Sequence, residues 1–287
     1  MTSTPAATSA QTATPAATAA PTHAAVVPRA AATTLVVRDG AAGLEVLMVR
    51  RSLQASFMPG AFVFPGGAVD AGDGSAAHQA VCDESAEQLA RRIGTVTQVG
   101  DAALAYAVAA LRECFEECGL WLGAAEHPAP GAGGWAGLRA RLHSGEAMAD
   151  LVPQAGGVLA TSGLQPWSHW VTPVGLPKRF DTLFFIARAP VGQLPEVDAF
   201  ETTTLAWVNP AAALAAHRLG EFQMEFATVS TVQSLQPFGS TDELLTHAAA
   251  QSSLPPLHPR LKRAADGRIQ GVLLPGQAGY DEAVDAG

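Results

Sequence analysis

The chain has 287 residues, of which 48% are hydrophobic and 15% are charged, a composition typical of a folded protein with one sizeable core. Its 26 acidic residues outnumber its 17 lysines and arginines, and the formal net charge of −9 gives no general attraction to nucleic acid or anionic lipid. Three cysteines do not make a disulfide framework, and no apolar run approaches the roughly 20 residues of a membrane span. The sequence therefore predicts a cytoplasmic protein that binds neither nucleic acid nor membrane.

The two ends of the chain differ in composition from its middle. Residues 1–32 are almost entirely Ala, Thr, Pro and Ser, which bury too little apolar surface to offset the entropy of ordering. They are predicted to be a disordered tail. A transit peptide is the alternative, although the segment carries a single arginine, Arg29. Residues 33–275 contain no repeat or low-complexity linker and are interpreted as one mixed α/β domain, followed by a loose tail over 276–287.

Hydrophobic periodicity and turn residues predict the elements of the domain. The helix that ends before Gly119 is the most clearly delimited of them, and Asp101 is its predicted N-cap. Before it, Pro65-Gly66-Gly67 forms a glycine loop where the backbone can approach a ligand. In chain order, strands are predicted at 33–38, 44–51 and 61–64, helices at 76–93, 101–118 and 135–151, strands at 167–171, 180–187 and 202–208, helices at 209–217, 225–236 and 241–251, and a strand at 268–274.

Three glutamates lie near the end of the helix predicted at 101–118. At 100° per residue, Glu113, Glu116 and Glu117 fall within a narrow arc opposite an apolar face. Like charges this close repel one another, and the C-terminal end of the helix dipole also disfavours anions. A hard divalent cation such as Mg²⁺, bound by carboxylate oxygens, would supply the missing positive charge. The alternative is a solvated acidic face, partly compensated by Arg112.

Residues 112–120, Arg-Glu-Cys-Phe-Glu-Glu-Cys-Gly-Leu, resemble the second half of the Nudix box, G-x5-E-x7-R-E-U-x-E-E-x-G-U, where U is a bulky apolar residue. The first half is matched by Gly67 and, after five residues, by Asp73 in place of the family's glutamate. Between Asp73 and Arg112 lie 38 residues where the family has seven, so the box carries a 31-residue insertion. We interpret residues 74–100 as a helical insertion that leaves the glycine loop and the acidic helix free to meet.

A second motif is similar to that of the coenzyme A diphosphatase-like branch of the superfamily. Arg51-Ser52, Gly60 and Phe64-Pro65-Gly66-Gly67 match most of the signature R-[SA]-x3-R-x3-G-x3-F-P-G-G, and Ser56 stands where the signature has its second arginine. The resemblance implies the Nudix fold, an α/β (α+β) arrangement of a mixed sheet sandwiched between helices. In that fold the glycine loop and the acidic helix lie side by side.

The resemblance also implies site residues and a cofactor, Mg²⁺ or Mn²⁺. The implied roles are metal ligation by Glu116 and Glu117, a second metal or general-base role for Glu113, a backbone carbonyl ligand from Gly67, and a positioning role for Arg112. Arg51 and Arg179, with Gly66 and Gly67, are candidates for binding substrate phosphates, and solvated surface charge is the alternative for both arginines. Asp73 ranks below these residues. A further acid from outside the box, Glu196, Asp198 or Glu201, is either another ligand or an ordinary loop acid.

The implied reaction is hydrolysis of a diphosphate linked to a nucleoside-type small molecule. Coenzyme A or acyl-coenzyme A is the favoured substrate, with 3′,5′-ADP and 4′-phosphopantetheine, or its acyl form, as products. ADP-ribose, NADH or a nucleotide sugar is the alternative within this class, and a nucleotide-sensing module without turnover is the alternative outside it. The cysteines are interpreted as packing residues. The insertion forms a cap, makes a homodimer contact or has no function, and the sequence leaves these three alternatives open.

Overall fold

The computed structural model describes residues 26–54, 58–125, 133–198 and 202–283. Most of the predicted N-terminal tail, the last four residues, Ser56 and Glu201 lie outside the described residues. The strands are β1 (Arg29–Gly40), β2 (Gly43–Arg51), β3 (Phe62–Val63), β4 (Gly66–Ala68), β5 (Ala124–Ala125), β6 (Gly157–Val158), β7 (Gln165–Val171), β8 (Phe180–Arg188), β9 (Thr202–Val208), β10 (Arg260–Arg263) and β11 (Ile269–Leu273). The α-helices are α1 (Ala76–Ala80), α2 (Ala86–Leu89), α3 (Ala103–Cys118), α4 (Gly134–His143), α5 (Met148–Ala155), α6 (Pro210–Arg218), α7 (Phe226–Leu235) and α8 (Thr241–Ala249).

The long strand β1 organises a mixed sheet with the order β3-β2-β1-β8-β7. One edge of β1 pairs in parallel with β8 along its length. Its other edge is shared, because the start of β1 pairs antiparallel with β4 and its end pairs antiparallel with β2. Strand β9 extends the sheet on β2. The residues predicted as a glycine loop therefore form a short strand, β4, held directly against β1.

The sheet lies between two groups of helices, as predicted. Successive residues of a strand face opposite sides, and neighbouring phenylalanines of β8 show this: Phe185 packs with α3, α4 and α5, whereas Phe184 packs with α6, α7 and α8. The sheet therefore packs against helices on both of its faces, with an apolar core on each side. The apolar face predicted for α3 is confirmed, since its members are all buried: Leu104, Val108, Leu111 and Phe115.

Helix α3 is fixed to the sheet at its middle and ended by a glycine. The buried Thr34 hydroxyl of β1 donates to the Ala110 carbonyl at 3.0 Å. Gly119 adopts φ 68°, a left-handed cap that a side chain would strain. The predicted Asp101 N-cap is wrong, because a 3-10 turn over Gly100–Ala102 precedes the helix and Ala102 is its N-cap residue.

The insertion is helical but interrupted. In place of one helix over 76–93, α1 and α2 are separated by a segment in which Cys82 forms a β-bridge with Leu159. Ser85 then restarts the helix in a capping box with Gln88, and a π-helix follows over Ala90–Thr95. The break arises because the chain pairs with a distant segment, which local periodicity does not encode.

Three other predicted boundaries shift for similar reasons. Residues 29–32, assigned to the N-terminal tail, belong to β1 because they pair with β8. The helix predicted at 135–151 is two helices, α4 and α5. The segment 276–283 is not loose, since Tyr280 donates to the His258 carbonyl at 2.6 Å and its ring lies under the Arg260 guanidinium.

No helix among the described residues has both the length and the apolar character needed to cross a bilayer.

Candidate active site

The buried side chain of Arg112 contacts three acidic residues of the box. Arg112 Nη1 donates to Glu113 at 2.8 Å and to Glu116 at 2.9 Å. Its Nε and Nη2 bind the two carboxylate oxygens of Asp73 at 3.1 and 3.0 Å, and Nη2 also donates to the Ala68 carbonyl. One guanidinium therefore joins α3, β4 and the start of the insertion, using the fork geometry that pairs with carboxylates.

Asp73 is nearly inaccessible, with 2% of its surface exposed. Its carboxylate also accepts a hydrogen bond from the Asp70 backbone amide at 2.8 Å. The structure thus brings the two halves of the box together across the 38 intervening residues. Asp73, which sequence reasoning ranked below the other acids, is the principal partner of Arg112.

The two glycines of β4 lie directly against the glutamates of α3. The Gly66 amide donates to Glu117 Oε2 at 2.9 Å. At Gly67, a Cβ atom would lie 2.4 to 2.5 Å from the Glu113 carboxylate. At Gly66, a Cβ atom would instead meet the Ala32 and Thr33 backbone at 2.5 and 2.7 Å. A side chain at Gly66 would therefore collide with backbone atoms, whereas one at Gly67 would displace the Glu113 carboxylate.

Gly67→Ala is expected to lower turnover strongly and to change stability by less than about 1 kcal/mol, because the clash falls on a flexible side-chain end. Gly72→Ala is the matched control, since its added Cβ would have nothing within 4 Å. Steady-state kinetics and urea unfolding of both variants test this. Equal activity in the two variants would show that the close approach of Gly67 to Glu113 has no functional role.

Burial raises the pKa of two of the three glutamates. For Glu116, burial outweighs the opposing charge and hydrogen bond of Arg112. Glu117 has 3% of its surface exposed, and burial raises its pKa well above the usual value, opposed by the Gly66 amide and by the charge of Arg51. The site therefore holds carboxylates whose negative charge the protein alone compensates incompletely.

Glu117→Gln is expected to stabilise the protein at pH 8 in the presence of a chelator. Below the usual pKa of 4.5, Glu117 is protonated in both the folded and the unfolded chain, so it contributes no difference. Above it, the unfolded chain releases the proton first, and wild-type stability falls by about 1.4 kcal/mol for each pH unit up to the raised folded pKa. Urea unfolding from pH 4 to 8 measures the divergence. Parallel curves for variant and wild type would contradict it.

Of the two arginines predicted to bind phosphate, the structure brings one to the cluster. Arg51, at the end of β2, lies near enough to Glu117 for its charge to act on that carboxylate. Arg179 points elsewhere, because its Nε donates to the Thr172 carbonyl at 2.9 Å and its Nη1 to the Val26 carbonyl at 2.7 Å. These contacts lie at the start of β8, away from the C-terminal end of α3.

One arginine outside the box, Arg139, was not predicted from the sequence. Arg139 of α4 donates from Nε and Nη2 to the Glu116 carbonyl at 2.8 and 2.6 Å, and from Nη1 to the Val197 carbonyl at 3.3 Å. It thus caps the end of α3 and attaches the loop that carries Glu196 and Asp198. No local motif marks this residue, since its role depends on how α4 docks.

The two described loop acids lie at that same end of α3. The Glu196 amide donates to the Cys118 carbonyl. Asp198 accepts hydrogen bonds from the amide and hydroxyl of Thr202, whose hydroxyl also contacts the Glu117 carbonyl. Cys114 and Cys118 are fully buried, and their mutual contact together with burial raises the Cys114 pKa, consistent with packing residues.

Comparison with known proteins identifies the family. A family model described as the NUDT19 Nudix domain matches residues 12–229. The acyl-coenzyme A diphosphatase NUDT19 of Homo sapiens is 28% identical over 297 residues, covering 85% of this chain and 74% of that protein. The protein of the same name from Gallus gallus is 28% identical over 292 residues, covering 86% and 75%.

A solved structure shares the fold over most of the chain. The crystal structure of a Nudix hydrolase from Alicyclobacillus acidocaldarius has a TM-score of 0.65 and 28% identity, covering 79% of this chain and 98% of that chain. The mixed sheet between helices and the acidic helix beside paired glycines thus define a Nudix hydrolase. Within that class, the chain belongs to the NUDT19 Nudix domain family.

Nudix hydrolases generally use divalent metal ions, and the donor atoms here suit one. Three carboxylates on one helix face, with a strand of two glycines against them, offer the oxygen ligands that Mg²⁺ and Mn²⁺ prefer. Among the described residues, however, no three His, Cys, Asp or Glu side chains converge on one point as ligands. Arg112 Nη1 holds Glu113 and Glu116 instead. An ion would therefore compete with Arg112 for these two carboxylates.

Proposed function

We propose that this protein is a metal-dependent diphosphatase that hydrolyses coenzyme A or acyl-coenzyme A to 3′,5′-ADP and 4′-phosphopantetheine or its acyl form. The observation that carries the proposal is the cluster in which Arg112 joins Asp73, Glu113 and Glu116 across the interrupted box. The substrate is supported by the names of the human and chicken relatives, and by Arg51, Gly60 and residues 64–67 of the second motif.

Different residues of the chain have different roles in the proposed reaction. Glu116 and Glu117 would be the main ligands of the ion, with Glu113 and the Gly67 carbonyl completing the set. When bound, a divalent ion neutralises diphosphate oxygens and lowers the pKa of the attacking water. Glu113 is the candidate to accept the proton of that water, and Arg51 to bind a substrate phosphate. The water oxygen adds to one phosphorus, and the bridging P–O bond breaks.

Arg112 has a positioning role in this proposal. It keeps its bidentate contact with Asp73 and the Ala68 carbonyl, which hold β4 against α3 whatever the glutamate side chains do. Because the paired groups are buried, this anchor stays in place when Glu113 and Glu116 turn toward an ion. The glycine backbone and the carboxylates thus remain in register.

The experiment is to incubate the purified protein with Mg²⁺, Mn²⁺ or a chelator and with coenzyme A, acetyl-coenzyme A, ADP-ribose, NADH and a nucleotide sugar, and to separate the products by mass spectrometry. We expect metal-dependent release of 3′,5′-ADP. Release of AMP from ADP-ribose or NADH, without release of 3′,5′-ADP from coenzyme A, would show that the protein is a diphosphatase with a different substrate. Binding without turnover under any condition would favour the sensing module.

A further inference from the structure

A groove of about 690 Å³ opens beside the carboxylate cluster, within the size range that holds small-molecule ligands. One face of α4 forms its first wall, and the loop over residues 192–198 forms its second, with Gly119 between them. The lining includes Trp135, Ala140 and His143 of α4, and Leu194, Glu196 and Asp198 of the loop.

The groove adjoins the C-terminal end of α3, because Gly119 lies between its two walls. Arg139, which lines the groove, donates from Nε and Nη2 to the Glu116 carbonyl at 2.8 and 2.6 Å. A substrate whose diphosphate lies at the glutamates would therefore extend one of its two halves along this groove.

The charges of the groove disfavour an anionic half. Glu196 and Asp198 contribute two carboxylates to the groove, and Gly119 lies at the C-terminal end of α3, which Arg139 caps. The guanidinium of Arg139 directs all three of its nitrogens to backbone carbonyls of Glu116 and Val197. A nucleotide phosphate would meet repulsion here, whereas the amide N–H groups of an uncharged chain could donate to the carboxylates.

Part of each wall of the groove is apolar. The Trp135 ring is partly buried against Trp121, at 5.3 Å between ring centroids. Ala140 presents only a methyl group, and Leu194 is 82% exposed although it is a large apolar residue. Exposed apolar surface beside a binding site is typical of ligand contact.

We propose that this groove holds the pantetheine half of the substrate, with the acyl chain against Leu194 and α4. The inference rests on the proposed function. It places the anionic 3′,5′-ADP half on the other side of the glutamates, toward Arg51. Affinity for acyl chains is then set by α4 and the loop, and recognition of the 3′-phosphate is set elsewhere.

The test compares two exposed apolar residues of one loop. Leu194 lines the groove, whereas Val191, 97% exposed, does not. Leu194→Gln is expected to raise KM for octanoyl-coenzyme A about fivefold, with kcat within twofold of wild type. Ala140→Phe, at an exposed position of α4, is expected to shorten the longest acyl chain accepted. Val191→Gln should match wild type, and all variants should keep the ratio of kcat/KM for coenzyme A to kcat/KM for dephospho-coenzyme A that is measured for wild type.

Two results would overturn the inference while leaving the proposed function standing. One is equal KM values for Leu194→Gln and Val191→Gln together with an unchanged chain-length profile for Ala140→Phe. The other is a loss of preference for the 3′-phosphate in the groove variants, which would place the nucleotide half in the groove. If wild type hydrolyses no coenzyme A derivative, both the proposed function and this inference fail.

Discussion

Glu116→Gln is expected to lower kcat at least about 10²-fold, the scale on which loss of one group that stabilises transition-state charge acts. The substitution keeps the shape of the side chain and its contact with Arg112, but it replaces an anionic oxygen donor with a neutral amide. The fold should therefore survive. The measurement is steady-state turnover of acyl-coenzyme A with saturating Mg²⁺, together with substrate affinity by calorimetry.

The matched control for this substitution is Glu87→Gln. Glu87 lies in the insertion, has a side chain 77% exposed, and pairs with Arg91 one helical turn away, a contact worth under about 1 kcal/mol. Its activity should equal that of wild type. Wild-type turnover in Glu116→Gln would show that the reaction does not need the Glu116 carboxylate and that its contact with Arg112 is structural only.

Arg112→Met is expected to lower the free energy of unfolding by about 3–5 kcal/mol, because it leaves the buried Asp73 carboxylate without its partner. Urea unfolding followed by tryptophan fluorescence measures this. Adding Asp73→Asn to Arg112→Met should recover part of the loss, since the uncompensated charge is then absent. Arg112→Lys keeps the charge without the bidentate geometry and should fall between wild type and Arg112→Met.

Arg91→Met provides the exposed comparison for the arginine series. Its guanidinium reaches one exposed carboxylate, so the expected loss is under about 1 kcal/mol. If Arg112→Met lost no more stability than Arg91→Met, Arg112 would not be the group that holds the box together. It would also mean that the contact of Arg112 with Asp73 does not hold β4 against α3 when Glu113 and Glu116 move.

The parts of the site that the sequence predicted depend on local regularity. Helical periodicity places Glu113, Glu116 and Glu117 on one face, and residue types at fixed spacing identify Gly67 and Asp73 as the other half of the box. The structure brings these residues together. The sandwich of a mixed sheet between helices was implied by the resemblance to the Nudix family, and the burial of the apolar face of α3 agrees with it.

The parts that could not be predicted depend on contacts between distant segments. The helix predicted over 76–93 is broken because Cys82 pairs with Leu159. Arg179 resembled a phosphate ligand by charge and position, but the Thr172 and Val26 carbonyls hold its guanidinium away from the cluster. Arg139 has no sequence signature, since its contact with Glu116 exists only once α4 has docked.

The central claim is hydrolysis at the diphosphate, and ¹⁸O-labelled water tests it most directly. The purified protein is incubated with acyl-coenzyme A and Mg²⁺ in the labelled water, and the masses of the products are measured by mass spectrometry. The account predicts one ¹⁸O atom in a phosphate of 3′,5′-ADP or of acyl-4′-phosphopantetheine, with the thioester intact. Label in a free carboxylic acid, with the diphosphate of coenzyme A unbroken, would contradict it.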